Sequence, residues 1–149
     1  MRDTTGASAP SAYAVRRAPR RALAAGAGLL VVLTLAACGG TEPTVDDLPA
    51  GVADARPSIS AEEAAFVLAA QELGADVTGV TVDDDIETGT TTCWALTNGG
   101  VELAQIAVGD DDKPLPNTGG ALRTKQLMAA GVQAFCPDFD DQVSQLRLP

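Results

Sequence analysis

Three cysteines carry most of the chemistry this sequence offers: Cys38 closes an apolar run, while Cys93 and Cys136 lie in the body of the chain. The chain has no histidine, so a Ser-His-Asp arrangement is impossible. Lys125 is then the only helical lysine left as a substitute base. Paired carboxylates could act as acid and base only if one of them had a raised pKa in a dry pocket, and a small alanine-rich bundle offers little concavity. No catalytic residue and no cofactor is therefore assigned, and the chain is read as a non-enzyme.

Two acid triplets, Asp83-Asp84-Asp85 and Asp110-Asp111-Asp112, could offer oxygens to Ca²⁺. Their spacing fails the usual loop. With Asp83, Asp85 and Glu87 at the first, third and fifth places, the sixth is Thr88 instead of glycine, and no glutamate stands at the twelfth. They read as a helix-start charge cluster and a solvated turn, and no metal ligand is assigned. Leu115-Pro116-Asn117-Thr118-Gly119 matches the sortase pentapeptide. A sorting signal is followed by an apolar span and a basic tail, whereas here an amphipathic helix and then Asp138, Asp140 and Asp141 follow, so the match is read as coincidence. Trp94, next to Cys93, either covers a disulfide, the favoured reading, or stands out as an aromatic contact for a partner.

Charge narrows the partners. The formal net charge is −10, from ten basic and twenty acidic residues. After Cys38 only Arg56, Lys113, Arg123, Lys125 and Arg147 remain against nineteen acids, a formal charge of −14. Such a body repels phosphate backbones, which excludes nucleic acid as a partner.

The basic charge sits in front of the apolar run. Arg16-Arg17-Ala-Pro-Arg20-Arg21 precedes an uncharged stretch of about 15 residues, Leu23 to Ala37. That is too short for a spanning helix, which needs roughly 20 apolar residues. It ends in Leu35-Ala36-Ala37-Cys38, which resembles the lipobox of bacterial lipoproteins. The resemblance implies that residues 1–37 are a removed signal peptide and that Cys38 is lipidated as the new N-terminus, holding the protein on the membrane. Two or more acyl chains, at about 0.8 kcal/mol per buried methylene, anchor stably where a single chain does not. Arg20-Arg21-Ala-Leu is a loose match to a twin-arginine signal, so general secretion is the default.

Export bears on the other cysteines. An even pair outside the cytoplasm is most simply a disulfide, and a core with so few aromatics needs a cross-link; the alternative is two buried thiols.

The elements that must position these residues follow from periodicity. Residues 38–59, with prolines at 43, 49 and 57, read as the lipidated cysteine and a flexible linker reaching roughly 25 Å. Ser60-Ala-Glu-Glu63 is a capping box, opening a helix with Phe66, Ala69, Ala70 and Leu73 on one face and Gly74 at its end. Val77 to Val82 reads as an extended link. A second helix runs from the Asp83 triplet to about Asn98 with Ile86, Thr90, Cys93 and Thr97 on one face, and a short third lies within Val101 to Val108. A turn-rich loop, Asp110 to Gly120, leads to a last helix from Ala121 to Cys136, with Met128, Val132, Phe135 and Cys136 on one face and Pro137 beyond it. Gly131 inside that helix costs about 1 kcal/mol relative to alanine, so a close helix crossing is its natural compensation. The helical domain is thus expected at 60–138, as an all-α bundle of three to four short helices with one disulfide, and 139–149 as a fraying acidic tail.

Phe66 with Leu73-Gly74, Cys93 with Leu96 and Gly99, and Val132 with Phe135-Cys136-Pro137 together resemble the domain of unknown function 732 family, small secreted or lipid-anchored proteins of mycobacteria and related actinobacteria. The likeness covers about residues 60–138 and departs from the family pattern in the long 110–120 loop and in Trp94. It implies a compact helical fold with one disulfide and no established activity. The resulting expectation is a lipid-anchored protein on the outer face of the cytoplasmic membrane, a binding or envelope-interaction module for an unknown envelope protein or ligand. The alternative is a small cell-envelope enzyme or enzyme inhibitor.

The lipobox leads to a direct test. Cys38→Ala is expected to abolish fatty-acid labelling and either accumulate precursor or release the domain from membranes; unchanged labelling and fractionation would contradict the lipoprotein reading.

Overall fold

A computed structural model describes residues 42–149; Cys38 and the apolar run before it lie outside the described residues. The described chain is all-α, with helices α1 (Ala50–Ala55), α2 (Ala61–Glu72), α3 (Val82–Gly99), α4 (Leu103–Ile106) and α5 (Gly119–Phe135). Two 3₁₀ segments, Val45–Asp47 and Pro137–Leu146, flank them. Among the described residues no helix is long and apolar enough to cross a membrane.

The α2 boundaries follow from local chemistry. Ser60 accepts a hydrogen bond from the Glu63 amide at 3.2 Å, and the Glu63 carboxylate accepts one from the Ser60 amide at 2.9 Å, closing the capping box. At the other end Gly74, at φ +89°, lets its own amide reach the Gln71 carbonyl and the Ala75 amide reach the Ala70 carbonyl. That pairing is a Schellman ending, which a residue with a side chain would strain. The exposed Leu73 carbonyl is taken by Gln126 of α5 at 2.6 Å, so a buried glutamine ties α5 to the end of α2.

The linker expected at 38–59 is overturned in its second half. Val52 is fully buried and Leu48 nearly so, and both pack with Phe66 and Val67 of α2. Two apolar side chains among prolines and acids carry no period, yet α1 brings Val52 and the turn before it brings Leu48 into the α2 cluster. The chain is pinned there by Arg56, which pairs with Glu63 at 2.7 Å and with Asp83. Burial alone would push the Glu63 carboxyl up, but the Ser60 amide and side chain and the Arg56 guanidinium together hold it below its ordinary value.

The fraying expected after Asp138 is corrected in the same way. Leu146 is buried, and Phe139, Val143 and Leu148 pack beside it against Leu96, Leu103 and Val132. The three acids of the segment face solvent on its other side. The Leu103 amide donates to Gln142 at 2.8 Å, so the last segment also caps the start of α4. The ordered domain therefore extends beyond 60–138 at both ends.

The α3 face also differs from expectation. Thr90 and Thr97 are exposed, and the inward stripe is Val82, Asp85, Ile86, Gly89, Thr92 and Leu96. A carboxylate joins this stripe because Arg123 of α5 meets Asp85 with two hydrogen bonds, at 2.8 and 2.7 Å. Gly131 makes the close crossing expected of it: a Cβ there would lie 2.5 Å from the Gly89 Cα. About one turn beyond the crossing, Cys93 of α3 and Cys136, just past the end of α5, form the disulfide, with Cα atoms 5.8 Å apart and a sequence separation of 43. In the loop-entropy view a closure of that length contributes about 4 kcal/mol.

The crossing predicts opposite outcomes for one substitution at two sites on α5. Gly131→Ala forces methyl against backbone and is expected to destabilise by about 1–3 kcal/mol. Gly120→Ala meets nothing within 4 Å and is expected to be neutral or to stabilise by up to about 1 kcal/mol. Urea unfolding of the oxidised chain checks both; equal effects would contradict the crossing.

Candidate functional site

The structure joins Cys93 and Cys136, and the bridge is set into the α3–α5 interface, with Cys136 buried and Cys93 partly so. Trp94 does not cover it. The indole is 65% exposed, because Cys93 already points α3 toward α5 and the next residue lies about 100° round the helix. The only tryptophan in the chain is thus a surface residue.

Around Trp94 the outer side of α3 forms a continuous relief. A depression of about 360 Å³ is bounded by Thr90, Thr91 and Trp94. It shares Thr91 with a groove of about 590 Å³ that has Asp84, Glu87 and Thr88 of α3 along it and Ile106 of α4 and Met128 of α5 among its lining. α3 supplies this row because residues three and four apart lie on one side of a helix.

The threonines give the groove a polarity. Thr88 donates its hydroxyl to the Asp84 carbonyl at 2.9 Å, Thr92 to Thr88 at 2.8 Å and Thr90 to Ile86 at 2.9 Å. The hydrogens of these three are spent on the helix, so they offer a ligand lone pairs and methyl groups, while the Thr91 hydroxyl between them makes no such bond among the described residues. Asp84 and Glu87 add carboxylates that form no ion pair among the described residues. The surface is therefore an acceptor-rich strip on an apolar floor, with an indole at one side.

The acid triplets do not converge on a common point. Asp83 goes to Arg56, Asp85 to Arg123 and Asp111 to Lys113, and among the described residues no group of three or more His, Cys, Asp or Glu is placed to hold a metal ion. The sortase-like pentapeptide is folded into the domain. The Leu115 carbonyl and the Asn117 side chain accept from Lys125, Thr118 stands at the N-cap of α5, and Gly119 is its first residue. Sequence reasoning missed the role of Lys125 in this loop. Its position on the buried side of α5, between Leu122 and Met128, was the available signal.

No family model, no curated protein and no solved structure matches the chain.

The exposure of Trp94 is directly measurable. The native, oxidised protein is expected to emit close to free tryptophan in wavelength and to be quenched by acrylamide almost as efficiently as a tryptophan amide; a blue-shifted, protected emission would place the indole against the disulfide after all.

Proposed function

We propose that the chain is a lipoprotein held on the outer face of the cytoplasmic membrane through Cys38, and that its helical domain is a binding module for an envelope partner. The observation that carries this reading is Trp94: the largest apolar side chain in the domain is left 65% exposed beside a groove of acceptors. Aromatic residues dominate the energetics of protein interfaces, and an exposed tryptophan costs a small domain burial it could have used.

The chemistry of the strip selects the partner. Carboxylates at Asp84 and Glu87, the Thr88, Thr90 and Thr92 oxygens whose hydrogens are spent on the helix, and an indole face all favour a donor-rich cation. A basic polypeptide segment supplies this, with a lysine or arginine over Trp94 and a second near Glu87. The acidic body, at −14 after Cys38, steers such a partner toward the domain. Anchoring by acyl chains keeps the module at the surface where envelope partners lie.

Capture of a basic envelope protein by the intact lipoprotein tests the reading. Trp94→Ala is expected to weaken capture at least tenfold, and Glu87→Gln several-fold with a shallower salt dependence. Val80→Ala, at the other large exposed apolar residue, is expected to leave it unchanged. Undiminished capture by Trp94→Ala, or equal loss with Val80→Ala, would refute a binding face on α3.

A further inference from the structure

The described domain contains five basic side chains, and three are committed to acids: Arg56 to Glu63 and Asp83, Lys113 to Asp111, and Arg123 to Asp85. The other two, Lys125 and Arg147, form no ion pair among the described residues. Both line one cavity of about 380 Å³, and no carboxylate side chain lines it with them. Two cations without a paired acid thus line one cavity in a body with nineteen acids against five bases.

The cavity is also built. Lys125 is more than nine-tenths buried. Its ammonium donates to the Leu115 carbonyl at 3.4 Å and to the Asn117 side-chain oxygen, which leaves one of three donors over. Asn117 in turn donates its amide to the Arg147 carbonyl at 2.7 Å, so a single side chain holds both cation-bearing residues. Arg147 sits at φ +51°, a left-handed conformation kept at the end of the last 3₁₀ segment. Gln145 and apolar side chains, among them Ala107, Pro114 and Leu146, make up the remaining walls.

A buried ammonium bonded only to neutral oxygens is desolvated without being neutralised. We infer that this cavity is a binding site for a small organic carboxylate, whose anionic end is held between Lys125 and Arg147 and whose apolar body lies against Ala107, Pro114 and Leu146. The volume suits a ligand of modest size. The acidic body favours a monoanion over a doubly charged phosphate, because every further negative charge on the ligand adds to the repulsion. The site lies apart from the α3 strip, sharing no lining residue with it, so it is independent of the binding face proposed above.

Titration calorimetry on the intact, oxidised chain with benzoate, acetate and inorganic phosphate tests the site. Benzoate is expected to bind saturably in the millimolar range or tighter, acetate at least tenfold more weakly because it lacks the apolar body, and phosphate more weakly than benzoate. Lys125→Met is expected to abolish benzoate binding, and Arg147→Gln to weaken it five- to tenfold. Should Lys125→Met fail to fold, the exposed Arg147→Gln decides alone, and unchanged affinity there overturns the site. Absence of benzoate binding to the wild type overturns it too; acetate or phosphate binding as tightly as benzoate overturns the assignment to an organic carboxylate.

Discussion

The fold depends on one contact between two residues that have no side chain. Gly89 of α3 and Gly131 of α5 let their backbones touch, and a Cβ on Gly89 would meet the Phe66 ring at 2.6 Å. Three helices thus converge where only hydrogen fits. Phe66 and Phe135 stack across this point with centroids 5.5 Å apart, so two of the few aromatics in the chain are placed where the backbones come closest. On one side lies the cluster of Val52, Val67, Ile86 and Leu127; on the other lies that of Leu96, Leu103, Val132 and Leu146.

Along α3 and α5 the contacts occur in one order: Asp85 with Arg123, Gly89 with Gly131, Cys93 with Cys136. Both helices therefore run in the same direction through the interface. Parallel helices cannot be joined by a tight turn, and here α4 and the loop from 107 to 118 carry the chain back to the starting end. That loop needs its own fastening, which Lys125 supplies. A half-buried ion pair at one end and a disulfide at the other fix the register of the crossing. Desolvation of Asp85 offsets part of what the pair gains.

Much of this was legible in the sequence because it rests on local chemistry. The capping box at Ser60, the glycine after α2, the paired cysteines and the cost of Gly131 each follow from one residue type in one place. The rest depends on distant partners. Leu48 and Val52 look like parts of a linker because prolines surround them, and only the exposed side of α2 gives them a surface to cover. Phe139 and Leu146 were hidden by Asp138, Asp140 and Asp141, although the spacing from Phe139 through Val143 to Leu146 suits a helical segment with one inward face. The triplet at Asp83 looks like a single cluster in the sequence, yet its members divide among Arg56, the groove and Arg123, a division that periodicity along α3 cannot announce. Trp94 was expected to shield the disulfide, but α5 and the final segment already bury Cys136.

The exposure of Trp94 then acquires weight from the poverty of the core. A buried aromatic removes roughly 150–250 Å² from water, which at about 25 cal/mol per Å² corresponds to roughly 4–6 kcal/mol. That upper estimate is as large as the whole contribution of a disulfide closing a loop of 43 residues. A domain whose largest fully buried side chains are one phenylalanine, one leucine and several valines relies on the cross-link while leaving its tryptophan outside. A core-forming role would have turned that residue inward, and α3 has an inward position within one residue, at Cys93. The disulfide occupies that position, and the largest apolar side chain of the helix is thereby left facing solvent.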